Sequence, residues 1–511
     1  MLLREQEARE KILEGFDMLY DAVSVTLGPK GRNFLIKNKF GEFKITHDGV
    51  TVANAIKSDD PQVQMGIDLL REASRMMNKI GDGTTSVTVL TRHLVVNIFE
   101  LLAKDKTFNP MIIRKQLEKI AIELIEKVEK KSHVIEQTKE AVFNAAFISV
   151  ADKELAEAIS ELMVGTGYEG AISVETTKGQ DTTFKLEDGY LIPSGYASPA
   201  FITDDKSKEA VLENPAVILI DGKMDSLTTY AALIDELLSQ KVKSFFFMAD
   251  NINDEVLTLL VQNKIKGTLK AVFVQNTGTR ERLEDIAAVT GAKIVTDKAD
   301  IEPQVSDVGM ADKINVRQGE TFIIGGEGNT TNQLNALRSQ NKQHPTDLLE
   351  ERIALLSSKV GIIKVGGNSD TEASEKKDRI DDAVAATREA IKGGIVAGGG
   401  VTLRDLAADM ETPDGVTSAV YSALNAPYDK LLKNSGITVL DSSIFKRGFG
   451  VNVSTGAVSD MLKDGIVDPT NITINVIRNA FATAINTITV GGAFIDTPLS
   501  EAEKLAYLGV K

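Results

Sequence analysis

Apolar residues recur along this chain at two different periods, and the change from one to the other divides it. Near the start, Ile12, Phe16, Leu19 and Val23 share one face of a helix that Gly28-Pro29 should stop. Two short strand-like runs follow, residues 33–36 and 43–46, joined by a polar turn with Asn38 and Gly41 and ending at Asp48-Gly49. From Pro61, the residues Val63, Ile67, Leu70, Met77 and Ile80 form a second helical stripe. Val87, Leu90, Leu94, Ile98 and Leu101 form a third, and residues 113–125 a fourth. Between about 132 and 187 the pattern is mixed, with helix around 155–163 and a short strand at 171–174. From about 188 to 360, apolar runs at 216–220, 244–249, 269–275 and 293–296 alternate with helical patterns, as in a parallel α/β layer. After the run 361–365 the period becomes helical again, first over 375–392. The expected fold class is multidomain α and α/β, with the α/β block inserted into a mainly helical frame.

One loop in that frame concentrates chemistry. Gly81-Asp82-Gly83-Thr84-Thr85-Ser86 sets two glycines, one carboxylate and three consecutive hydroxyls before the third stripe, so it reads as a loop entering a helix. A helix start offers free backbone N–H groups and a partial positive charge, and glycine lets an anion approach them. Asp82 would repel a bare phosphate and makes sense if a divalent cation stands between carboxylate and phosphate oxygens. The same residue types also cap ordinary helices. Taken alone, the loop leaves both readings standing.

Length and composition narrow the field. The 511 residues exceed one hydrophobic core and predict about three domains. With 42% hydrophobic and 26% charged residues the composition is that of a globular protein. A net charge of −15 argues against nucleic acid as a partner. Zero cysteines exclude disulfides and thiolate metal sites and fit a reducing compartment. The N-terminus turns charged at once, without a secretory apolar core, and no apolar run is read as long enough to span a bilayer. A cytoplasmic protein with no membrane partner is expected.

Neither a P-loop nor a Gly-x-Gly-x-x-Gly fingerprint occurs. Instead, Val25-Thr26-Leu27-Gly28-Pro29-Lys30-Gly31-Arg32-Asn33, Thr46-His47-Asp48-Gly49-Val50-Thr51, the Gly81 loop, Ala397-Gly398-Gly399-Gly400 and Gly465-Ile466-Val467-Asp468-Pro469 follow one another in that order. Together they resemble the ATP-binding signatures of the group I chaperonins, the GroEL/Hsp60 family, over nearly the whole chain. The resemblance implies an equatorial ATPase domain at 1–131 and 394–511, an intermediate domain at 132–187 and 361–393, and an apical domain at 188–360. Thr26, Leu27, Gly28 and Pro29 match the family's phosphate loop, and Asp82, Gly83, Thr84, Thr85 and Ser86 its metal and phosphate loop, with Asp82 as Mg2+ ligand. Gly399 matches a loop beside the nucleotide, and Asn452, Ile466 and Asp468 match base and ribose positions. Val453 and Ser454 replace two alanines of the family at the base. Asp48 and Asp382 match its catalytic aspartates; carboxylates can hold a water in line and organise charge around a metal. Asp382 lies in the hinge segment, so closure would bring it to the nucleotide.

The same resemblance implies ATP and Mg2+ as cofactors, with K+ as a further candidate. It implies non-native polypeptides as clients, self-association into one or two seven-membered rings, and a small co-chaperonin lid as a candidate partner. Client contacts fall on Tyr196 and Phe201 and on two groove helices bearing Ile234, Val256, Leu260 and Val261, which are expected to be exposed. Several positions depart from the family: His47 replaces a lysine, Ser358-Lys359 a Gly-Gly hinge, Ala200 an aromatic, and Gly509-Val510-Lys511 a Gly-Gly-Met tail. These mark a divergent member, such as one carried by a virus or a reduced genome. Two rivals remain: a soluble nucleotide-dependent small-molecule enzyme, and a scaffold that binds clients without hydrolysing ATP.

Overall fold

The computed structural model describes residues 2–494 apart from 38–40, 42, 79–80, 106, 136–137, 151, 168–171, 205–207, 297–302, 358, 411–414 and 439–445. Asn38, Ile80, Ala171, Ser358 and the terminal Gly509-Val510-Lys511 lie outside the described residues. The chain forms two compact units, one from Met1–Ser160 with Ser369–Lys511 and one from Glu161–Asn368.

In chain order the first unit begins with strand β1 (Leu2–Arg4), helix α1 (Glu5–Val23), the hairpin β2 (Phe34–Lys37) and β3 (Phe43–Thr46), and α2 (Gly49–Ala55). Then come α3 (Pro61–Asn78), α4 (Thr84–Lys104), α5 (Pro110–Lys131), α6 (Lys139–Val150) and α7 (Lys153–Thr166), which leads out of the unit.

The second unit holds β4 (Ile172–Thr176), β5 (Thr183–Ile192), β6 (Ala210–Glu213), β7 (Ala216–Asp221), β8 (Lys223–Met224), α8 (Ala231–Ser239), β9 (Ser244–Ala249) and β10 (Asn251–Ile252). It continues with α9 (Asp254–Ile265), β11 (Lys270–Gln275), α10 (Arg280–Thr290), β12 (Ile294–Thr296), β13 (Gly309–Val316), β14 (Thr321–Gly326), α11 (Thr331–Gln343), α12 (Asp347–Ser357) and β15 (Lys359–Val365).

The chain then returns to the first unit as α13 (Asp370–Gly393), β16 (Ile395–Ala397), α14 (Val401–Ala408), α15 (Gly415–Asn434), β17 (Phe449–Val451), β18 (Val458–Asp460), β19 (Val467–Pro469), α16 (Thr470–Ile488) and β20 (Gly492–Phe494).

The helical stripes meet in the first unit. Ile12, Phe16, Leu19, Ile67, Leu70, Val87, Leu90, Leu94, Ile98, Ile477 and Phe481 belong to one buried cluster shared by α1, α3, α4 and α16. Gly15 and Gly66 allow α1 and α3 to touch backbone to backbone; a Cβ on Gly66 would lie 2.5 Å from the carbonyl of Ile12. One expectation is corrected here, since α4 is long and apolar enough to cross a membrane. Its apolar character has another cause: Val87, Leu90, Leu94 and Ile98 are fully buried in the helical core, and a helix with so wide a buried face carries little polar surface.

The second unit is built on a sheet ordered β11-β9-β7-β13-β14-β5-β15-β4, with β12 also on β7 and β6 on β13. The runs 216–220, 244–249 and 269–275 do form neighbouring parallel strands, covered on both faces and therefore continuously apolar. The wholly parallel layer expected from them is corrected to a mixed sheet, because β13, β14 and β5 pair antiparallel. Of these pairs only β13 and β14 are joined by a short connection; β7 pairs β13 and β5 pairs β14 across long stretches of chain, so no local pattern betrays those antiparallel neighbours.

Candidate active site

The Gly81 loop enters α4 through Gly83, which adopts φ +88° and leaves the helix without any side-chain cap. Side chains are rarely comfortable at that φ, and here a Cβ would also press within 2.8 Å of Met77 and 3.0 Å of Ile472 and Val476. Asp82 accepts the N–H of its neighbour Gly83 rather than those of the first helical turn. The capping reading left open by the sequence therefore does not describe this loop. The first-turn amides of α4 remain available to an anion.

Asp48 is different. It is the N-cap of α2, its two carboxylate oxygens accepting the N–H groups of Val50 at 3.0 Å and Thr51 at 2.8 Å. That bonding orients the carboxylate and leaves further lone pairs open. Beside it a Cβ on Gly49 would sit 2.6 Å from the Thr85 hydroxyl, so α2 rests directly on the start of α4. Thr85 in turn is 3.3 Å from the Thr26 hydroxyl. Thr26 closes a short 3-10 turn over residues 24–26. Leu27, Gly28 at φ +84° and Pro29 then reverse the chain, with Gly31 N–H bonding to the Gly28 carbonyl at 2.8 Å.

α13 brings Asp382 to the same place. A Cβ on Gly81 would collide with that of Ala385, so a glycine is what lets this helix touch the loop. Asp82 and Asp382 both keep contact with solvent yet are crowded by protein, and so they line a recess. Desolvation there, with repulsion from Asp82 and then Asp48, holds the Asp382 carboxyl well above the carboxylate range. Asp82 is raised for the same reasons, desolvation first and Asp48 next. Asp378, one turn earlier, is raised to about 6 by burial and Asp48, against the opposing Lys44. His47 is pushed below the usual histidine value by burial and then by Arg379, so its ring is neutral at pH 7.

The third wall comes from the far end of the chain. β16 and β19 pair antiparallel with Val396 opposite Asp468. The turn Gly398–Gly400 then opens α14, whose N-cap Gly400 also has positive φ and no side-chain cap. Gly398 N–H bonds to the Ile466 carbonyl at 2.9 Å. The Asp468 carboxylate accepts the amides of Gly399 and Gly400, while burial and Asp82 still raise it to about 7. Val453 is buried in one small cluster with Ala397, Val401 and Tyr428, against which Ile466 packs. Asn452 shapes its own turn by accepting the Ser454 N–H at 3.0 Å.

Asp82, Asp378, Asp382 and Asp468, all raised above the ordinary carboxylate range, form a crowded set that a cation would relieve. Among the described residues no three acidic or histidine side chains already stand close enough to hold a metal unaided. The donor set fits Mg2+, which is ordinarily held through one or two carboxylates together with substrate phosphates. Next to it lie two uncapped helix starts and a hydroxyl pair.

Two supporting residues escape sequence patterning. Asn434 of α15 donates to the carbonyls of Ser24 at 2.9 Å and Leu27 at 3.0 Å, fixing the turn of the Thr26 loop. Leu431 would lie 3.1 Å from a Cβ on Gly28. Either residue reads as part of an ordinary amphipathic helix, and no sequence signal marks it. An open surface depression of about 470 Å3 walled by Pro61, Gln64, Met65, Asp68, Leu69, Glu72 and Phe494 contains none of the residues above.

The residues expected to touch clients lie in the second unit, and four of the six require correction. Phe201, Ile234, Val256 and Leu260 are buried in the core with β7, β9 and β11. Helices flanking a sheet turn their most regular apolar stripe inward; it is the family resemblance, not the spacing, that places these positions on a client surface. Tyr196 and Val261 are half-buried. The large apolar side chains that α9 does expose are Leu259 at 44% and Ile265 at 72%.

A model of the TCP-1/cpn60 chaperonin family matches residues 19–492. Among solved structures, the chain is similar to the chaperonin gp146 of bacteriophage EL of Pseudomonas aeruginosa, crystallised in the presence of ATP-BeFx. One crystal form gives a TM-score of 0.69 at 20% identity, covering 97% of this chain and 99% of the phage protein. The other gives 0.66 at 21% identity over the same shares.

Proposed function

Since the chain belongs to the TCP-1/cpn60 chaperonin family, we propose that it is an ATP-driven chaperonin that binds non-native polypeptides and promotes their folding inside a ring of its own copies. One observation carries the ATP part. Thr26–Pro29, Asp48, Asp82–Ser86, Asp382, Gly399 and Asp468, scattered over both ends of the sequence, surround one recess with two uncapped helix N-termini and mutually repelling carboxylates. The fold relative crystallised with ATP-BeFx supports a nucleotide there.

In this reading the phosphates lie against Thr26–Pro29 and the free amides and hydroxyls of Thr84, Thr85 and Ser86. Asp82 would hold Mg2+, and the ion would neutralise phosphate charge during hydrolysis. Asp48 and Asp382 would orient the attacking water, and Asp382, whose carboxyl is raised by desolvation, would take its proton as a stronger base than an ordinary aspartate. Gly399, Ile466 and Asp468 flank the ribose, and Asn452, Val453 and Ser454 the base. His47 faces the recess as a neutral ring, leaving its carbonyl as the group to meet K+.

The inserted unit supplies the client surface. Leu259 and Ile265, with the half-buried Tyr196, Leu257 and Val261, are the apolar contacts that reach solvent on or beside α9. The three-part division, with segment boundaries after residues 131, 187, 360 and 393, belongs to the same proposal, as do the seven-membered rings, a co-chaperonin lid and a cytoplasmic location. Calorimetry with Mg-ATP alongside phosphate release and suppression of client aggregation tests it. Absence of ATP binding would refute the machine, and binding without turnover would leave the non-hydrolysing scaffold.

A further inference from the structure

The turn that carries Asn452, Val453 and Ser454 is fastened just before its first residue by a buried ion pair. Arg404 and Asp405 are consecutive in α14, and their side chains are 4% and 5% exposed. Arg404 donates from Nε and Nη2 to Asp405 Oδ1 at 3.2 and 2.6 Å. Its Nη2 also donates to the carbonyl of Phe449 at 2.7 Å. Asp405 Oδ2 accepts the N–H of Gly448 at 2.6 Å. Tyr428 of α15 lies with its ring 5.1 Å from the same guanidinium, and its hydroxyl accepts the N–H of Val451 at 3.2 Å. Gly450, between them, is pressed so closely that a Cβ would come within 2.5 Å of Val401 and 3.5 Å of Tyr428. Four successive residues, Gly448 to Val451, are thus gripped by two helices, and the next residue is Asn452.

Those two helices are the ones that set the opposite side of the recess. α14 begins at the Gly398–Gly400 turn, and α15 holds the Thr26 loop through Asn434 and Leu431. Burying two charges costs more desolvation than their mutual attraction returns unless their remaining donors and acceptors are also satisfied. Here each partner makes one further bond to backbone, Arg404 Nη2 to the carbonyl of Phe449 in β17 and Asp405 Oδ2 from the N–H of Gly448 just before it. An apolar pair of the same size would fill the space but would not fix the strand's register.

We propose that Arg404, Asp405 and Tyr428 are positioning residues for the nucleotide: they hold the Asn452–Ser454 turn at a set distance from the Gly399 loop and so determine affinity and base selectivity. This rests on the functional reading above, in which that turn meets the base. The cluster touches neither phosphate nor water in that reading, and its loss should act on binding rather than on chemistry.

The test uses the full chain with Mg2+, measuring Kd for ATP and GTP by calorimetry, steady-state KM and kcat, and Tm. In Asp405→Asn and Tyr428→Phe the Kd and KM for ATP should rise about tenfold, the size expected from losing one charge-assisted or strained hydrogen bond. The preference for ATP over GTP should shrink, while kcat at saturation stays within about twofold. Tyr428→Phe keeps the ring and its packing and carries the test if Asp405→Asn does not fold. Unchanged Kd and unchanged ATP/GTP ratio in folded variants overturn the proposal, as does a fall in kcat and Tm with KM unaltered. If the unaltered chain binds no ATP, the functional reading itself falls and takes this inference with it.

Discussion

Asp82 and Asp382 sit in the same recess, but their surroundings give them different work. In the proposed reading Asp82, at the mouth of an uncapped helix, would be the cation ligand; Asp382 is presented by a separate helix, so its loss would leave the α4 amides proposed for phosphate intact. Asp82→Ala should therefore weaken Mg-ATP binding itself. Asp382→Ala should bind ATP with near-normal affinity and turn it over more slowly by a factor of about 10². Calorimetry and phosphate release measure the two effects separately, and ordinary turnover in Asp382→Ala would remove the catalytic assignment. Asp378 adds a pH effect whose sign follows from its elevation to about 6. A carboxyl raised on folding contributes stability that is complete below its unfolded value, about 4, and is lost as pH rises through the folded one. The Tm of the metal-free protein should accordingly fall between pH ~4 and ~6. Asp378→Asn should reduce that slope, and an identical profile in the variant would show that the group does not titrate there.

Among the elements, α15 and α9 make the clearest demands. α15 ties the Thr26 loop to the rest of the helical unit through two bonds from one amide, Asn434 to Ser24 and Leu27. Asn434→Ala removes the amide donor from the Ser24 and Leu27 carbonyls, of which Ser24 keeps the longer bond from the Leu27 N–H, and should raise the Kd for ATP about three- to tenfold, an effect of roughly 1 kcal/mol. Titration of the folded variant checks it, and unchanged affinity would show that the loop holds its own shape. In α9 the inward and outward faces separate folding from client binding. Leu259→Ser and Ile265→Ser alter exposed side chains, so suppression of client aggregation should fall while Tm and ATP turnover hold. Leu260→Ser, one position away, is fully buried and should instead destabilise the second unit by about 2–5 kcal/mol. A variant at Leu259 that binds clients normally would move the client surface elsewhere.

At the scale of the whole molecule, the split frame with an inserted unit has a mechanical reading within the proposed machine. The nucleotide residues come from both ends of the chain, so the recess is complete only when the returning segment, α13 onward, has folded against α1 to α6. A chaperonin of this family is expected to assemble, and electron micrographs of the purified chain should show rings of about seven copies, an expectation carried by the family. Particles the size of a monomer or small dimer would favour a soluble enzyme over a folding chamber.

Periodicity by itself determined where the helices of the frame lie and where an α/β block interrupts them, because burial on one face forces period 3.6 on a helix and continuous apolar runs on doubly covered strands. The ordered loops, read against a known family, also indicated the residues of the recess before any geometry was available. Other features could not be read this way. Whether Asp82 caps its helix or faces a ligand depends on the φ of Gly83 and on what Ala385 allows beside Gly81, distances that one-dimensional spacing does not contain. Which apolar residues of α9 reach solvent depends on how the helix is rotated over the sheet. Val256 and Leu260 on α9, like Ile234 on α8 and Phe201 in a short 3-10 turn, match the family's client-binding segments and are core. Likewise Arg404 and Asp405 look like an ordinary charged pair on a helix surface, and only the approach of β17 from about 45 residues away buries them. Local sequence sets the backbone period, but the partner that covers each face is chosen by long-range packing, and it is burial by that partner that turns a charge or an apolar stripe into a site.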